Sequence, residues 1–453
     1  MTRSDTRRFD NRTNGRGRRA RLLGDQPASL GFHALRRLAE FGQVLSEFGQ
    51  GLLAVVNPAL RGEARTSSAT PARYRELVNA LDLPPDRPMP LHDLERAVPG
   101  EATMSRRMAR IAAEAVVTNY CEMKVTDFAT AAMRDQHAKT HGCVQAEFIV
   151  RDDLPAEFTT DLFRPGARYP ATLRFSNGLG KRFSDRKFDA RGLSIKLHEI
   201  GRDTILRTLA PDKASAGEHD FALSSFPIFF CKSVIDYTML MNAVSAPNAT
   251  LREKLGRALL WIKFVFLCPR QFYLFLRIAV EARLTIRNPL TATYHSMSPF
   301  LFGERNVVRY LVGPPDGQSE STGWGGFASW SKSESFLQDA LVRDLDPHAR
   351  GPGDHTIVLD FSIRVRHAAT SDDVEDASRW WTRPLDRVVR LGSFAIPRQD
   401  FLAQNTLYDC EHMVFNPWNC LPEHRPLGSV NRMRLAVYLA SWQVRRKLNM
   451  VAS

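Results

Sequence analysis

The sequence has no uninterrupted apolar run approaching the roughly 18 to 20 residues that a membrane-spanning helix needs. Its nearest stretch, ALLWIKFVFLCPRQFYLFLRIAV at residues 258–280, is broken by Lys263, Pro269, Arg270 and Arg277. The three cations recur seven apart, which places them on one stripe of a helical face opposite aromatic and aliphatic side chains. That pattern fits a surface helix or helical hairpin on a core, and it leaves open a membrane-touching lip or an apolar substrate entrance. Cysteine is sparse: six residues, at 121, 143, 231, 268, 410 and 420, with no C-x-x-C pair. The spacing offers neither a zinc knuckle nor a disulfide framework. An export signal is missing as well. TRRF at 6–9 has paired arginines, but Asp10, Asn11 and Arg12 follow where an apolar stretch should stand. Reduced thiols and a cytoplasmic location are therefore expected.

What is present is an ordinary globular composition, 43% hydrophobic and 25% charged over 453 residues, enough to bury a substantial core. The net charge is +13, and residues 1–21 supply much of it, with eight Arg against two Asp. So little apolar content cannot offset the entropy of ordering, so residues 1–30 are expected to be a basic disordered tail. Loose attraction to nucleic acid or anionic lipid would rest on this tail alone.

Beyond the tail, Leu35, Leu38, Phe41, Leu45, Phe48 and Leu52 recur at helical steps and stop near Asn57, Pro58 and Gly62. Residues 63–100 read as a linker with short helical pieces, so 31–100 form a helical arm and linker ahead of the main domain, 101–453. A second helical stretch is expected over roughly 101–133. From 144 onward the texture changes to strands: VQAEFIVR, YPATLRFSN, GLSIKLHEI, NVVRYLVG, HTIVLDFSIRVRH and VVRLGSFAI carry β-branched or aromatic residues with partial alternation. A helical block at about 234–290 and a helical C-terminus, NRMRLAVYLASWQVRRKLN, complete the pattern. The fold class is α+β around a large antiparallel sheet or barrel.

Two segments carry chemistry. His137 and His141, in HAKTH, lie four apart, but the zinc-protease form needs a Glu after the first His and Ala138 stands there. At the other end, Arg434, Tyr438 and Arg445 fall on one face of a helical pattern. A guanidinium beside a phenol favours the phenolate, which can ligate ferric iron.

Four segments, in order, resemble the haem catalase superfamily and its small catalase-related peroxidase branch. They are DFATAAMRDQHAKTHGCVQAEFIV; TLRFSNG with DARGLSIKL; FPIFFCKSVIDY; and FNPWNCLP through MRLAVYLASWQVRR. Together they span about residues 125–446. The resemblance implies a catalase-like antiparallel β-barrel with flanking helices and a haem b cofactor. It makes His137 the distal acid/base, Ser176 the hydroxyl orienting it, Tyr438 the iron ligand and Arg434 its partner. Arg134, Arg174 and Arg445 match the guanidinium groups that receive the haem propionates, where planar bidentate pairing suits a carboxylate. Phe229, Phe230 and Tyr237 match haem-wall positions, with plain core packing the alternative. His141 has no assigned partner.

The sequence departs from the family's pattern in three places. The distal Asn falls at Ser224, Gln136 precedes the distal His where an apolar residue is usual, and Trp442 replaces a proximal-helix His. A distal pocket without that amide argues against efficient dismutation of hydrogen peroxide. It leaves peroxide-dependent oxidation of an organic donor, or rearrangement of a lipid hydroperoxide of the allene oxide synthase type. The alternatives are a non-catalytic haem-binding, membrane-associated protein on the same scaffold and, from the tail alone, a nucleic-acid binder. Peroxide is the expected substrate, membrane contact through 258–280 and homo-oligomerisation are open, and nucleic acid is disfavoured.

Overall fold

The computed structural model describes residues 74–83, 89–122, 132–187, 189–213, 217–246, 250–315, 333–348, 356–381 and 386–452. The basic tail and the helical stripe at 35–52 lie outside them. Contacts divide the chain between Ala64 and Arg65, and everything below belongs to the second unit.

Nine antiparallel strands build the core: β1 (Thr140–Val150), β2 (Arg168–Asn177), β3 (Arg191–Leu197), β4 (His219–Ser224), β5 (Tyr294–His295), β6 (Phe300–Phe302), β7 (Asn306–Gly313), β8 (Ile357–Arg366) and β9 (Asp386–Ile396). Their order is β5-β4-β3-β2-β1-β9-β8-β7-β6, and pairing of β5 with β7 closes the first eight into a barrel. Closure removes the exposed edges of an open sheet. The architecture is thus α+β, a closed antiparallel barrel with flanking helices, as the resemblance implies and the strand texture permits.

The barrel has a packed interior. Phe148, Phe163, Phe221, Tyr310, Phe361 and Phe394 meet with ring centroids 4.8 to 6.1 Å apart. Tilted and edge-on contacts of this kind suit aromatic quadrupoles. The site's polar side chains lie instead on the outer wall. Strand parity puts them there in β2. Leu173 and Phe175 join the interior core, while Arg174 and Ser176 point to the opposite face and are still buried there.

Helices cover that outer face. The longer ones are α1 (Glu101–Glu122), α2 (Val234–Ser245), α3 (Leu251–Leu267), α4 (Pro269–Thr285), α5 (Phe336–Leu345), α6 (Gln404–His412) and α7 (Ser429–Ala452). Helices α1 and α7 pack through Ala109, Ala113, Val116 and Val117 against Ala440, Val444 and Leu448, small residues that let two backbones approach closely. The start of α7 is tied down by Arg432, buried between Glu95, Glu101 and Glu375.

Three expectations are corrected. The helix expected over 101–133 is described over Glu101–Glu122, residues 123–131 lie outside the described residues, and Ala132–His137 is not helical. The thiols are not all reduced: Cys143 on β1 is disulfide-bonded to Cys410 on α6, 267 residues away. Sequence spacing could not reveal the pair because only barrel closure brings β1 and α6 together. Finally, the block at 258–280 is two helices bent by 101° at Cys268–Pro269, so its cations share no stripe. Lys263 is exposed on α3, whereas on α4 Arg270 donates to the Ser378 carbonyl at 3.1 Å and Arg277 lies over the Trp380 ring.

Candidate active site

A row of residues crosses five strands of the barrel wall in register. Thr140 on β1 is opposite Ser176, Ser176 is opposite Gly192 on β3, Gly192 is opposite Ser224 on β4, and Ser224 is opposite His295 on β5. His137, from the segment leading into β1, folds over this row. Its Nδ1 is hydrogen-bonded to Ser176 Oγ at 3.1 Å. A Cβ on Gly192 would lie 2.4 Å from Nδ1, so the imidazole fills the space that the glycine leaves. Ser224 is the next residue along the row. The sequence-level pairing of His137 with Ser176 is therefore brought together, and Ser224 lies near them.

Backbone contacts hold the histidine in an unusual conformation. His137 has φ 57°, the left-handed region that L residues rarely adopt, and such strain persists only where surroundings over-determine it. Here His137 N donates to Gly178 O at 2.9 Å and Ala138 N to Leu179 O at 3.1 Å. The neighbouring Gly180 has its missing Cβ position against the Asp135 carbonyl. Burial, and then the nearby Arg174, lower the His137 pKa to about 4, with Arg134 and Arg434 acting in the same direction. The imidazole is accordingly neutral at pH 7. His141 plays no part in this arrangement. It is buried, bonded through Nε2 to Asn177 Oδ1 at 2.9 Å, and set beside Asp185 in a network with Lys139 and Arg191. The two histidines of HAKTH serve different neighbourhoods.

On α7, Arg434 Nη2 donates to Tyr438 Oη at 3.0 Å, with the guanidinium also steered by Asn431 at 3.1 Å. One turn of helix brings i and i+4 together, so this pair is local and was legible in the sequence. Arg434 thus touches the phenol and is also near enough to His137 to depress its pKa.

The three remaining arginines converge on one residue absent from the sequence-level candidates, Glu411. Arg134 pairs with it at 2.9 Å, Arg174 lies 3.9 Å away, and Arg445 donates to its backbone carbonyl. Thr140 Oγ1 also donates to Glu411, and Arg174 donates to Thr140 Oγ1 at 2.6 Å and to the His137 carbonyl at 2.8 Å. Glu411 is held at about 2, below the usual carboxylate range, by Arg134 and Arg174 against the opposing effect of burial. Burial lowers all three arginines, with repulsion from Arg134 adding to it at Arg174 and Arg445, and Arg445 falls to about 9. The Arg174 Nε is buried with no partner. The Cys143–Cys410 bond anchors α6, and hence Glu411, to the strand residue opposite Arg174.

Phe229, Phe230 and Tyr237 form one aromatic layer, with centroids 4.5 Å apart for the Phe pair and 5.5 Å between Phe229 and Tyr237. Burial raises the Tyr237 pKa above its ordinary value, with Asp135 and Tyr438 among the smaller causes. A crevice lies between the segment before His137 and the turn of α7 carrying Tyr438. Asp135, Gln136, Tyr237 and Val437 line it, with Met108 and Ile111 of α1.

The donor set suits a haem. An arginine-capped phenol, a neutral imidazole, an aromatic layer and three guanidiniums gathered at Glu411, two of them on its one carboxylate, leave positive charge that a dicarboxylate would neutralise. The unpartnered Arg174 Nε is a donor awaiting such a group.

No family model matches the chain, and no curated protein does. Solved structures similar to it include a fungal catalase, at 14% identity and TM-score 0.47 over 70% of this chain and 60% of the other. A bacterial catalase gives 16% and 0.46 over 70% and 57%. Catalase A from Saccharomyces cerevisiae gives 15% and 0.47 over 70% and 61%. The chain spans about 60% of the length of these structures.

Proposed function

We propose that this chain is a haem-b enzyme that cleaves the O–O bond of peroxides, with organic hydroperoxides, lipid hydroperoxides among them, preferred over hydrogen peroxide. One observation carries the reading: Arg434 donates to Tyr438 at 3.0 Å and is one of the smaller charges that, after burial and Arg174, lower the pKa of His137, so a phenol of a kind that can ligate iron and a neutral base neighbour one guanidinium. Tyr438 would hold the iron, with Arg434 donating to its oxygen. Arg134, Arg174 and Arg445 would receive the propionates, and Tyr237 and Phe229 would wall the ring.

The haem, when bound, supplies the redox-active iron that takes up the two oxidising equivalents of the peroxide. His137 handles the proton. With Nδ1–H donated to Ser176 Oγ, the Nε2 lone pair is free to take the hydroperoxide proton and return it to the departing oxygen, which leaves as an alcohol or as water. Ser176 fixes the ring, and Gly192 leaves room for it. Ser224, a hydroxyl beside that glycine, offers a smaller polar group than an amide, which favours a bulkier alkyl hydroperoxide over two successive hydrogen peroxide molecules. An organic reductant then closes the cycle.

The visible spectrum of protein purified from haem-supplemented cells tests this, recorded before and after hydrogen peroxide and a fatty-acid hydroperoxide. A tyrosinate-type high-spin ferric spectrum that changes faster with the fatty-acid hydroperoxide supports the reading. Absence of haem under saturating supply overturns it. Haem binding with no response to either oxidant would instead favour the non-catalytic scaffold.

A further inference from the structure

Helix α3 carries a bare apolar stripe. Leu251, Leu255, Leu259, Ile262 and Phe266 are 74%, 59%, 66%, 51% and 78% exposed, at the three- and four-residue steps of one helical face. Leu267 and Tyr273, at the turn into α4, extend the patch at 63% and 52%. A contiguous exposed patch of this kind marks an interaction surface.

The opposite face of α3 is already occupied. Phe264 is fully buried and packs, with Trp261, onto the layer of Phe229, Phe230, Tyr237 and Phe275. Charge limits what can cover the outer face. At about 100° per residue, Arg252 and Lys263 fall on one edge of the stripe and Lys254 on the other. Glu253 is the one acid of α3, and the Thr250 cap engages it at the helix start. A second copy of this chain would set cations against cations. An anionic surface instead meets them with opposite charge, and its acyl region accepts the leucines and phenylalanine. Apolar residues flanked by Lys and Arg are the signature of a helix lying in the membrane interface. Among the described residues no single helix is long and apolar enough to cross a membrane.

We propose that the outer face of α3, with the turn into α4, is a peripheral docking surface for an anionic lipid bilayer. The proposal does not depend on haem. If the enzymatic reading also holds, docking sets the aromatic layer containing Tyr237 one helix away from the bilayer, the source of lipid hydroperoxides.

The test is cosedimentation of the full chain with vesicles of phosphatidylcholine and phosphatidylglycerol, and with phosphatidylcholine alone, for wild type and the Leu259→Glu/Phe266→Glu double variant. Both positions are exposed, so circular dichroism and thermal unfolding should match wild type. The expected result is binding to the anionic vesicles that falls at least about tenfold in the double variant. A triple variant, Arg252→Gln/Lys254→Gln/Lys263→Gln, should lose the preference for the anionic lipid. Undiminished binding of the double variant would assign the attraction to residues 1–21 and overturn the proposal, as would no binding by wild type. A wild-type dimer in sedimentation velocity that dissociates in the double variant would also overturn it, by making a second copy the occupant.

Discussion

The Gly192 backbone lies directly beneath the His137 ring: a Cβ added there would sit 2.4 Å from Nδ1 and 2.5 Å from Cε1. Neither the ring, strained at φ 57° and bonded to Ser176, nor the paired strand backbone can yield cheaply. Gly192→Ala should therefore displace the imidazole while leaving the barrel intact. The expected outcome is a loss of about 100-fold in hydroperoxide turnover with haem content retained, since ångström-scale misplacement of a catalytic group costs about that much. Steady-state kinetics and the absorbance of the purified variant check it.

Tyr438→Phe removes the phenol that Arg434 supports at 3.0 Å. Stable ferric haem binding should be lost or its spectrum shifted away from the tyrosinate type, whereas the apoprotein's unfolding midpoint should stay close to wild type. Unchanged haem binding and spectrum in this variant would end the ligand assignment.

The acid side of the activity profile should be unusually low. His137 is depressed to about 4 by burial and Arg174, so the neutral base persists well below the ordinary histidine range. Turnover against pH should fall on the acid side near pH 4 rather than near 6.5, and an inflection at the unperturbed value would contradict the buried setting.

Stability follows the same groups. His137 and His141 both fall to about 4, so between that pH and about 6.5 the unfolded chain binds more protons than the folded one. Their contribution is fully present above pH 6.5 and is lost as pH falls through 4. Denaturant melts from pH 7 to 4 should show stability decreasing, with an uptake on unfolding of up to about two protons from this pair near pH 5.

Removing the carboxylate at the arginine cluster should cost more than removing the disulfide beside it. Glu411→Ala leaves Arg134 and Arg174 buried without their shared counter-charge, a loss of roughly 3–5 kcal/mol by denaturant melts. If propionates are the natural partners, added haem should restore part of it. Cys143→Ser/Cys410→Ser opens a closure of 267 residues and should lower stability by about 2–4 kcal/mol.

Much of the fold was legible locally. Strands β2, β7, β8 and β9 announce themselves by β-branched and aromatic residues at alternating positions, and α7 by its 3.6-residue period. Strand β4, HDFALS, does not: two of its six residues are acidic or imidazole, and Asp220 is met by Lys196 at 2.7 Å from the neighbouring strand and by the Asn416 backbone N–H at 2.9 Å. Two-residue β5 is too short for any periodic signal, yet it closes the barrel.

The sequence by itself determined the contacts that depend on near neighbours. Arg434 and Tyr438 are one helical turn apart, and Arg174 and Ser176 share a strand face by parity. Tertiary structure decided the rest. That His137 lies over Gly192, that Glu411 gathers three arginines and that Cys143 meets Cys410 all follow from strand register and barrel closure. These bring together residues tens to hundreds of positions apart, and no local period records them.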